Sequence, residues 1–218
     1  GDLAFEFTGA NRSMEAIRVH QRIQSARPEN YQAEVTVSRQ IETDAFELTV
    51  SGRADGVFDS DQTLCIEEIK TTTADLNTLS ETAHPLHWGQ VKCYGAMLGA
   101  DKGVAQVALQ LTYANLDTGE TREFQNRFEH AVLEDFFSDL IECYLARAAM
   151  MVSWQRIRDG SISALAFPFP SYRPGQRELA VAAYRTIRDG GQILIQAATG
   201  IGKTMAALFP AVKVLIET

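Results

Sequence analysis

Two consecutive stretches between Tyr31 and Asp55 alternate apolar and polar residues with a period of two. No other feature of the chain narrows its fold as much, because successive side chains of a strand point to opposite faces of a sheet. In the first stretch Tyr31, Ala33, Val35, Val37 and Ile41 face one way, with Gln32, Glu34, Thr36 and Ser38 opposite. In the second, over 45–55, Phe46, Leu48 and Val50 oppose Glu47, Thr49, Arg53 and Asp55. A turn at Asp59-Ser60-Asp61 leads into a third strand over 63–71. Residues 104–116 and 121–128 pair as a hairpin across Asp117-Thr118-Gly119. Helical patterns cover 13–26, 84–98 and 131–158, the first with Ser13 as N-cap and Met14, Ile17, His20 and Ile23 recurring at threes. The order α-β-β-β-α-β-β-α predicts an α/β fold, a mixed sheet of about five strands flanked by helices.

Composition bounds what such a fold can do. The chain has 218 residues, 45% hydrophobic and 22% charged, enough to bury a core. A net charge of −8 excludes a polybasic nucleic-acid arm, and the hydrophobic content excludes disorder. It leaves room for a nucleic-acid enzyme whose metal site is itself rich in carboxylates. Cys65, Cys93 and Cys143 are odd in number, widely spaced and without a CxxC, which points to a reducing cytoplasm rather than a disulfide framework. No apolar run reaches about 18 residues and no signal peptide opens the chain, so the expectation is a cytoplasmic protein with no membrane partner. After Ser171 basic residues outnumber acidic ones, the reverse of the rest, and the change falls at the Pro-rich stretch 167–174. The expected organisation is a first domain over 1–160, a linker over 161–172, and a truncated second unit over 173–218.

Chemistry concentrates in the third strand, Leu64-Cys65-Ile66-Glu67-Glu68-Ile69-Lys70. Glu68 and Lys70 share a face about 6.6–6.8 Å apart along the strand, while Glu67 points the other way and reads as structural. Gly52-Arg53-Ala54-Asp55 brings Asp55 to the same end of the neighbouring strand. Two carboxylates and an ammonium gathered there suit phosphodiester hydrolysis: hard oxygens hold Mg2+ or Mn2+, and the lysine steadies the nucleophile or the developing charge. By itself a Glu-x-Lys is also an ordinary surface ion pair. His20 on the first helix is a metal ligand or a satisfied core histidine. Gln90 and Tyr94, four apart on one helix, either point at one site or serve capping and packing. Thr71 and Thr72 add hydroxyls at the strand exit.

Taken together, His20, Gly52-Arg53-Ala54-Asp55, Glu68-Ile69-Lys70-Thr71 and Gln90-x-x-x-Tyr94 resemble the RecB-like branch of the PD-(D/E)XK nucleases over roughly residues 10–150. The resemblance implies that His20, Asp55 and Glu68 bind metal, that Lys70 is catalytic with Asp55 and Glu68, and that Gln90 and Tyr94 contact substrate. Ala54 replaces the nominal proline, and the iron–sulfur cysteines of several relatives are absent.

A second motif lies near the C-terminus. Gln192–Ala197 reads as a buried strand, followed by Ala-Ala-Thr-Gly-Ile-Gly-Lys-Thr and a helix starting near Gly202. Such a loop lets backbone N–H groups curl around phosphate, with Lys203 reaching the β/γ-phosphates and Thr204 ligating Mg2+. Thr199, Gly200, Gly202, Lys203 and Thr204 are the candidate ATP-binding residues. Upstream, Tyr172-Arg173-Pro174-Gly175-Gln176 is a turn with Pro174 at a first helical position. Phe169 through Val214 resembles the opening of XPD/DinG-type superfamily 2 DNA helicases, which gives Gln176 the role of reading adenine. The unit is an incomplete RecA-like one, lacking the acidic Walker B strand, so the rest of the motor is expected in cis.

The function expected is a Mg2+- or Mn2+-dependent deoxyribonuclease module of an ATP-dependent helicase–nuclease in DNA repair, acting on single-stranded or end-proximal DNA. The alternative is a non-catalytic DNA-binding or partner-recruiting domain attached to such a helicase.

Overall fold

The computed structural model describes residues 10–60 and 62–217. Residues 1–9, Asp61 of the expected turn and Thr218 lie outside the described residues. Strands β1 (Gln32–Glu42), β2 (Glu47–Ser60) and β3 (Thr63–Thr72) form an antiparallel meander. Strand β4 (Gln106–Asn115) runs parallel to β3, and β5 (Thr121–Glu129) returns antiparallel to β4. The sheet order follows the chain, β1-β2-β3-β4-β5. This is the mixed five-stranded sheet of an α/β fold. A parallel neighbour needs a long crossover, and helix α2 (Pro85–Lys102) supplies it. Helix α1 (Ala10–Ser25) precedes the sheet and helix α3 (His130–Ala164) follows it. A short 3-10 turn, Leu76–Thr78, lies between β3 and α2.

Strands β3 and β4 are buried on both faces, as central strands between helical layers are, whereas β5 alternates exposed and half-buried positions. On one face Leu64, Ile66, Leu109 and Leu111 pack with Val91 and Met97 of α2 and with Leu133 and Phe137 of α3. On the other, Val19 and Ile23 of α1 cover Ile69 and Ala114. The α1 face differs from the sequence expectation: Met14 and Ile17 are exposed. At about 100° per residue, positions nine apart lie on opposite sides of a helix, so a strict repeat of three winds off the core face. The helix also starts by Ala10, ahead of the expected cap Ser13.

The carboxylate of Glu67 is wholly buried on the α1 face. Arg27 Nε donates to its Oε2 at 3.1 Å, Arg27 Nη2 and the Thr112 hydroxyl donate to Oε1, and Gln110 Nε2 donates to Oε1 at 3.0 Å. Glu67 is thus a clamp between the segment after α1 and strand β4.

The packing divides the chain into one unit ending at Leu145 and another beginning at Ala146, with α3 spanning the division. In the second unit α4 (Gln176–Arg188) and α5 (Lys203–Val214) meet through Leu179, Ala180 and Ala206. Lys213 Nζ donates to the carbonyls of Ile162 at 2.6 Å and Ser163 at 3.1 Å, capping the end of α3. Two expectations fail here. Residues 192–197 form no strand, and Leu194 is fully exposed. A strand exists only by hydrogen bonding to another, and the described residues of this unit offer no partner. Pro174 sits in the turn before α4, whose cap is Gly175 in the left-handed region.

Removing the Glu67 carboxylate leaves the half-buried Arg27 guanidinium with only the more exposed Glu123 as counter-charge and takes the acceptor from Gln110 and Thr112. Glu67→Ala is expected to lower unfolding free energy by about 3–5 kcal/mol, read by urea denaturation. A loss below about 1 kcal/mol would contradict the clamp.

Candidate active site

The last β2–β3 pair before the strands diverge is Gly56↔Glu67. Strand β3 stays paired to β4 through Thr72. Asp55 and Glu68 therefore stand on either side of a fork. Across it, the Ile69 N–H donates to Asp55 Oδ2 at 2.6 Å. His20 Nδ1 lies 3.6 Å from Asp55 Oδ1. Burial alone would lower the His20 pKa, but Asp55, with Glu68 and Glu34 farther off, more than reverses it and raises it.

Asp55 is also held through its backbone. Gln24 Nε2 donates to the Asp55 carbonyl at 3.0 Å and to Glu34 Oε1 at 2.9 Å, and the Tyr31 hydroxyl donates to the same carbonyl at 3.2 Å. Glu34 has a left-handed backbone, φ 58°, where the β1–β2 ladder skips the position opposite Asp55. That conformation is costly for a residue with a side chain, and the contacts of Gln24 and Arg53 to the Glu34 carboxylate hold it there.

Glu68 is 4% exposed. Its Oε1 lies 2.9 Å from Lys70 Nζ, while Oε2 is buried with no hydrogen-bond partner among the described residues. Burial and then the Asp55 charge push its carboxyl from 4.5 up to about 7, against the opposing pull of Lys70 and His20. Lys70 Nζ donates to Gln90 Oε1 at 3.0 Å, and Gln90 Nε2 donates to the Tyr94 hydroxyl at 3.0 Å. The Tyr94 ring lies so close to Gly52 that a Cβ there would sit 2.6 Å from it. The glycine of the Gly52-Arg53-Ala54-Asp55 stretch makes room for this ring. The structure thus brings His20, Asp55, Glu68, Lys70, Gln90 and Tyr94 to one place. Thr72 Oγ1 accepts from the Ala74 N–H at 3.0 Å and shapes the turn.

Among the described residues no three His, Cys, Asp or Glu side chains are gathered closely enough to form a ready-made metal cage. The donor set nevertheless fits a hard cation. A buried carboxylate oxygen with no hydrogen-bond partner among the described residues lies beside a second carboxylate, and Lys70 and His20 do not offset the burial and repulsion that Glu68 meets there.

In the second unit, the Gln176 amide accepts from the Arg173 N–H at 3.0 Å and donates to the Gly202 carbonyl at 3.1 Å. Gly200 and Gly202 have φ of 81° and 83°. Lys203 Nζ donates to the carbonyls of Ala197 and Ala198 at 2.9 Å each. Thr199 lies in the turn before Gly200, and Thr204 is exposed in the first turn of α5.

A family model described as the PD-(D/E)XK nuclease superfamily matches residues 6–169, well over half of the chain. The chain belongs to the PD-(D/E)XK nuclease superfamily. Nucleases of this superfamily usually depend on divalent metal, in keeping with the donor set around Glu68. The match takes in the first part of the second unit and ends before Gln176 and Lys203, so α4 and α5 lie outside it. No curated protein matches the chain. Among solved structures, one described as "Crystal structure of SSO0001" is similar at 20% identity and a TM-score of 0.43; the match covers 62% of this chain and 62% of that one. No helix of the described residues is long and apolar enough to cross a membrane.

Reading alternation and motif spacing misses Gln24, Tyr31 and Glu34, whose role is set by contacts across 10 to 31 residues. It also misses His87, which a helical wheel through Gln90 and Tyr94 would have found, since 87, 90 and 94 share a face.

The Glu68 environment sets a pH dependence. With a folded pKa near 7 against 4.5 unfolded, the native state binds the extra proton between those values. Stability from this group is therefore present at low pH and lost as pH rises from about 4.5 to 7. The loss is on the order of 3 kcal/mol in metal-free protein. Glu68→Gln should abolish that component, so the difference in thermal midpoint between variant and wild type should grow from pH 5 to pH 8 in EDTA. A difference independent of pH would refute it.

Proposed function

We propose that this chain is the nuclease module of an ATP-dependent helicase–nuclease that processes DNA in repair, hydrolysing phosphodiesters with Mg2+ or Mn2+. The observation that carries the nuclease reading is the buried Glu68 oxygen beside Asp55, without a partner among the described residues, with Lys70 fixed between Glu68 and Gln90. Asp55 and Glu68 would hold the cation, with His20 as a further donor once its imidazole is neutral. Bound there, a divalent cation supplies Lewis acidity toward the phosphate and a water of lowered pKa.

The chain's own groups do the rest. The Ile69 N–H fixes the rotamer of Asp55, so its outer oxygen is presented without reorganisation. Lys70 places an ammonium where charge develops on the phosphate, its three N–H groups steered by Glu68 and Gln90. The Tyr94 hydroxyl, accepting from Gln90 Nε2, sets the orientation of that amide. Gln90 and Tyr94 line the approach to Lys70 as substrate contacts. With a chain charge of −8, DNA must be attracted locally, by metal and Lys70, so affinity falls with salt.

Two left-handed glycines and a lysine opening α5 support an ATP phosphate cradle in the second unit, with Gln176 bracing it. From Gly190 to Glu217 the one carboxylate is Glu217, which already accepts from the Tyr184 hydroxyl. MgATP should therefore bind weakly and not turn over, with or without single-stranded DNA, and Lys203→Ala should remove the binding. Equilibrium binding of a fluorescent ATP analogue beside a phosphate-release assay checks this; Lys203-dependent turnover would overturn it.

For the nuclease centre, end-labelled DNA should be cut in Mn2+ or Mg2+ and left intact in EDTA. Asp55→Ala, Glu68→Ala and Lys70→Ala should each lower kcat by about 10²- to 10³-fold or more, with folding checked by circular dichroism. His20→Ala should raise the Mn2+ concentration needed for half-maximal rate. Full activity in EDTA, or in Lys70→Ala, would defeat the reading; DNA binding with no cleavage in either metal would favour a non-catalytic DNA-binding role.

A further inference from the structure

Beside the proposed centre stand three rings that the reaction above does not use. Tyr113 of β4 is the ladder partner of Lys70 on β3, and paired residues of neighbouring strands project to the same side of a sheet. His87 lies one turn before Gln90 on α2, and its Nδ1 is 2.8 Å from the Tyr113 hydroxyl. His84 precedes the helix, with its ring centroid 4.9 Å from His87 and 5.9 Å from Tyr113, at tilts of 32° and 38°. At its inner end the ring cluster is anchored: Tyr113 is buried and meets Phe124 edge-on at 6.0 Å. At its outer end His84 is exposed, and although it occupies the cap position of α2 its side chain makes no capping hydrogen bond.

We propose that His84, His87 and Tyr113 form a platform that seats one unpaired base of a strand beside Lys70. The inference rests on reading the site as a nuclease, and deepens it. A base of any identity offers a π-face that an exposed ring can cover. Bases inside a duplex are already stacked and paired, so this platform engages them only after separation. The occupant follows from continuity. A strand whose phosphate reaches Lys70 carries its neighbouring base past Tyr113 and His87, the residues flanking Lys70 across the ladder and Gln90 along the helix. The chain's net charge of −8 points the same way, since binding here draws little from general charge attraction.

The test uses the full chain with Asp55→Asn to prevent cutting, and anisotropy of fluorescein-labelled oligothymidylate and of a blunt duplex. Adding His84→Ala should weaken single-strand binding about 5- to 150-fold, the range of one base–ring stack, and leave the duplex affinity unchanged. His84→Trp should restore it, because stacking needs a ring and not an imidazole. Equal single-strand affinity for His84→Ala and its parent would overturn the platform. So would a His84→Trp variant as weak as His84→Ala, which would indicate a charge or hydrogen-bond contact, or an equal loss on duplex. Mn2+-dependent thermal stabilisation of the His84→Ala chain with Asp55 intact should match wild type, showing that the metal centre is untouched. If the wild type cleaves nothing in Mn2+ while the anisotropy results hold, the nuclease reading falls and the platform stands as a binding site.

Discussion

The separation of β2 from β3 beyond Gly56 and Glu67 is the constraint on which the site depends. Inside a sheet, backbone pairing leaves no room for side chains to converge between strands. Once β2 departs, the Ile69 N–H takes the Asp55 carboxylate as its acceptor, and Asp55 and Glu68 face one another across the gap. β3 keeps its place because β4 pairs with it throughout and two helical layers cover both strands. The fork is open on one side and rigid on the other, which suits a site that must hold two like charges close together.

Glu67 and Glu68 show how far environment separates identical side chains. One points toward α1 and meets Arg27, Gln110 and Thr112, so its charge is compensated and it ties elements together. Its neighbour points toward α2, pairs with Lys70, and keeps one buried oxygen without a hydrogen-bond partner among the described residues. Proteins leave a buried polar atom unmatched rarely. Here it lies beside a second carboxylate in a member of a nuclease superfamily whose enzymes usually require divalent metal.

Much of this was legible in the chain because alternation and spacing are local. The three strands from Tyr31 to Thr71, the crossover helix and the β4–β5 hairpin follow from patterns that a few residues define. So does the shared face of Glu68 and Lys70. A repeat of three does not find the buried face of α1, since only packing against Ile69 and Ala114 selects Val19 and Ile23. The apolar run at 192–197 looked like a strand, and without a partner to complete its hydrogen bonds it is none among the described residues.

Sequence by itself determined the strands and helices, the side of β3 on which each glutamate lies, and the residue types that chemistry at the fork would need. Tertiary structure decided which of those residues meet. His20 reaches Asp55 from 35 positions away, Gln90 reaches Lys70 from another layer, and Gln24, Tyr31 and Glu34 brace Asp55 from a segment with no motif. The physical reason is the range of the forces involved. Backbone preference and side-chain alternation act over a few residues, whereas burial, ion pairing and the raised pKa of Glu68 exist only once distant segments exclude water around it.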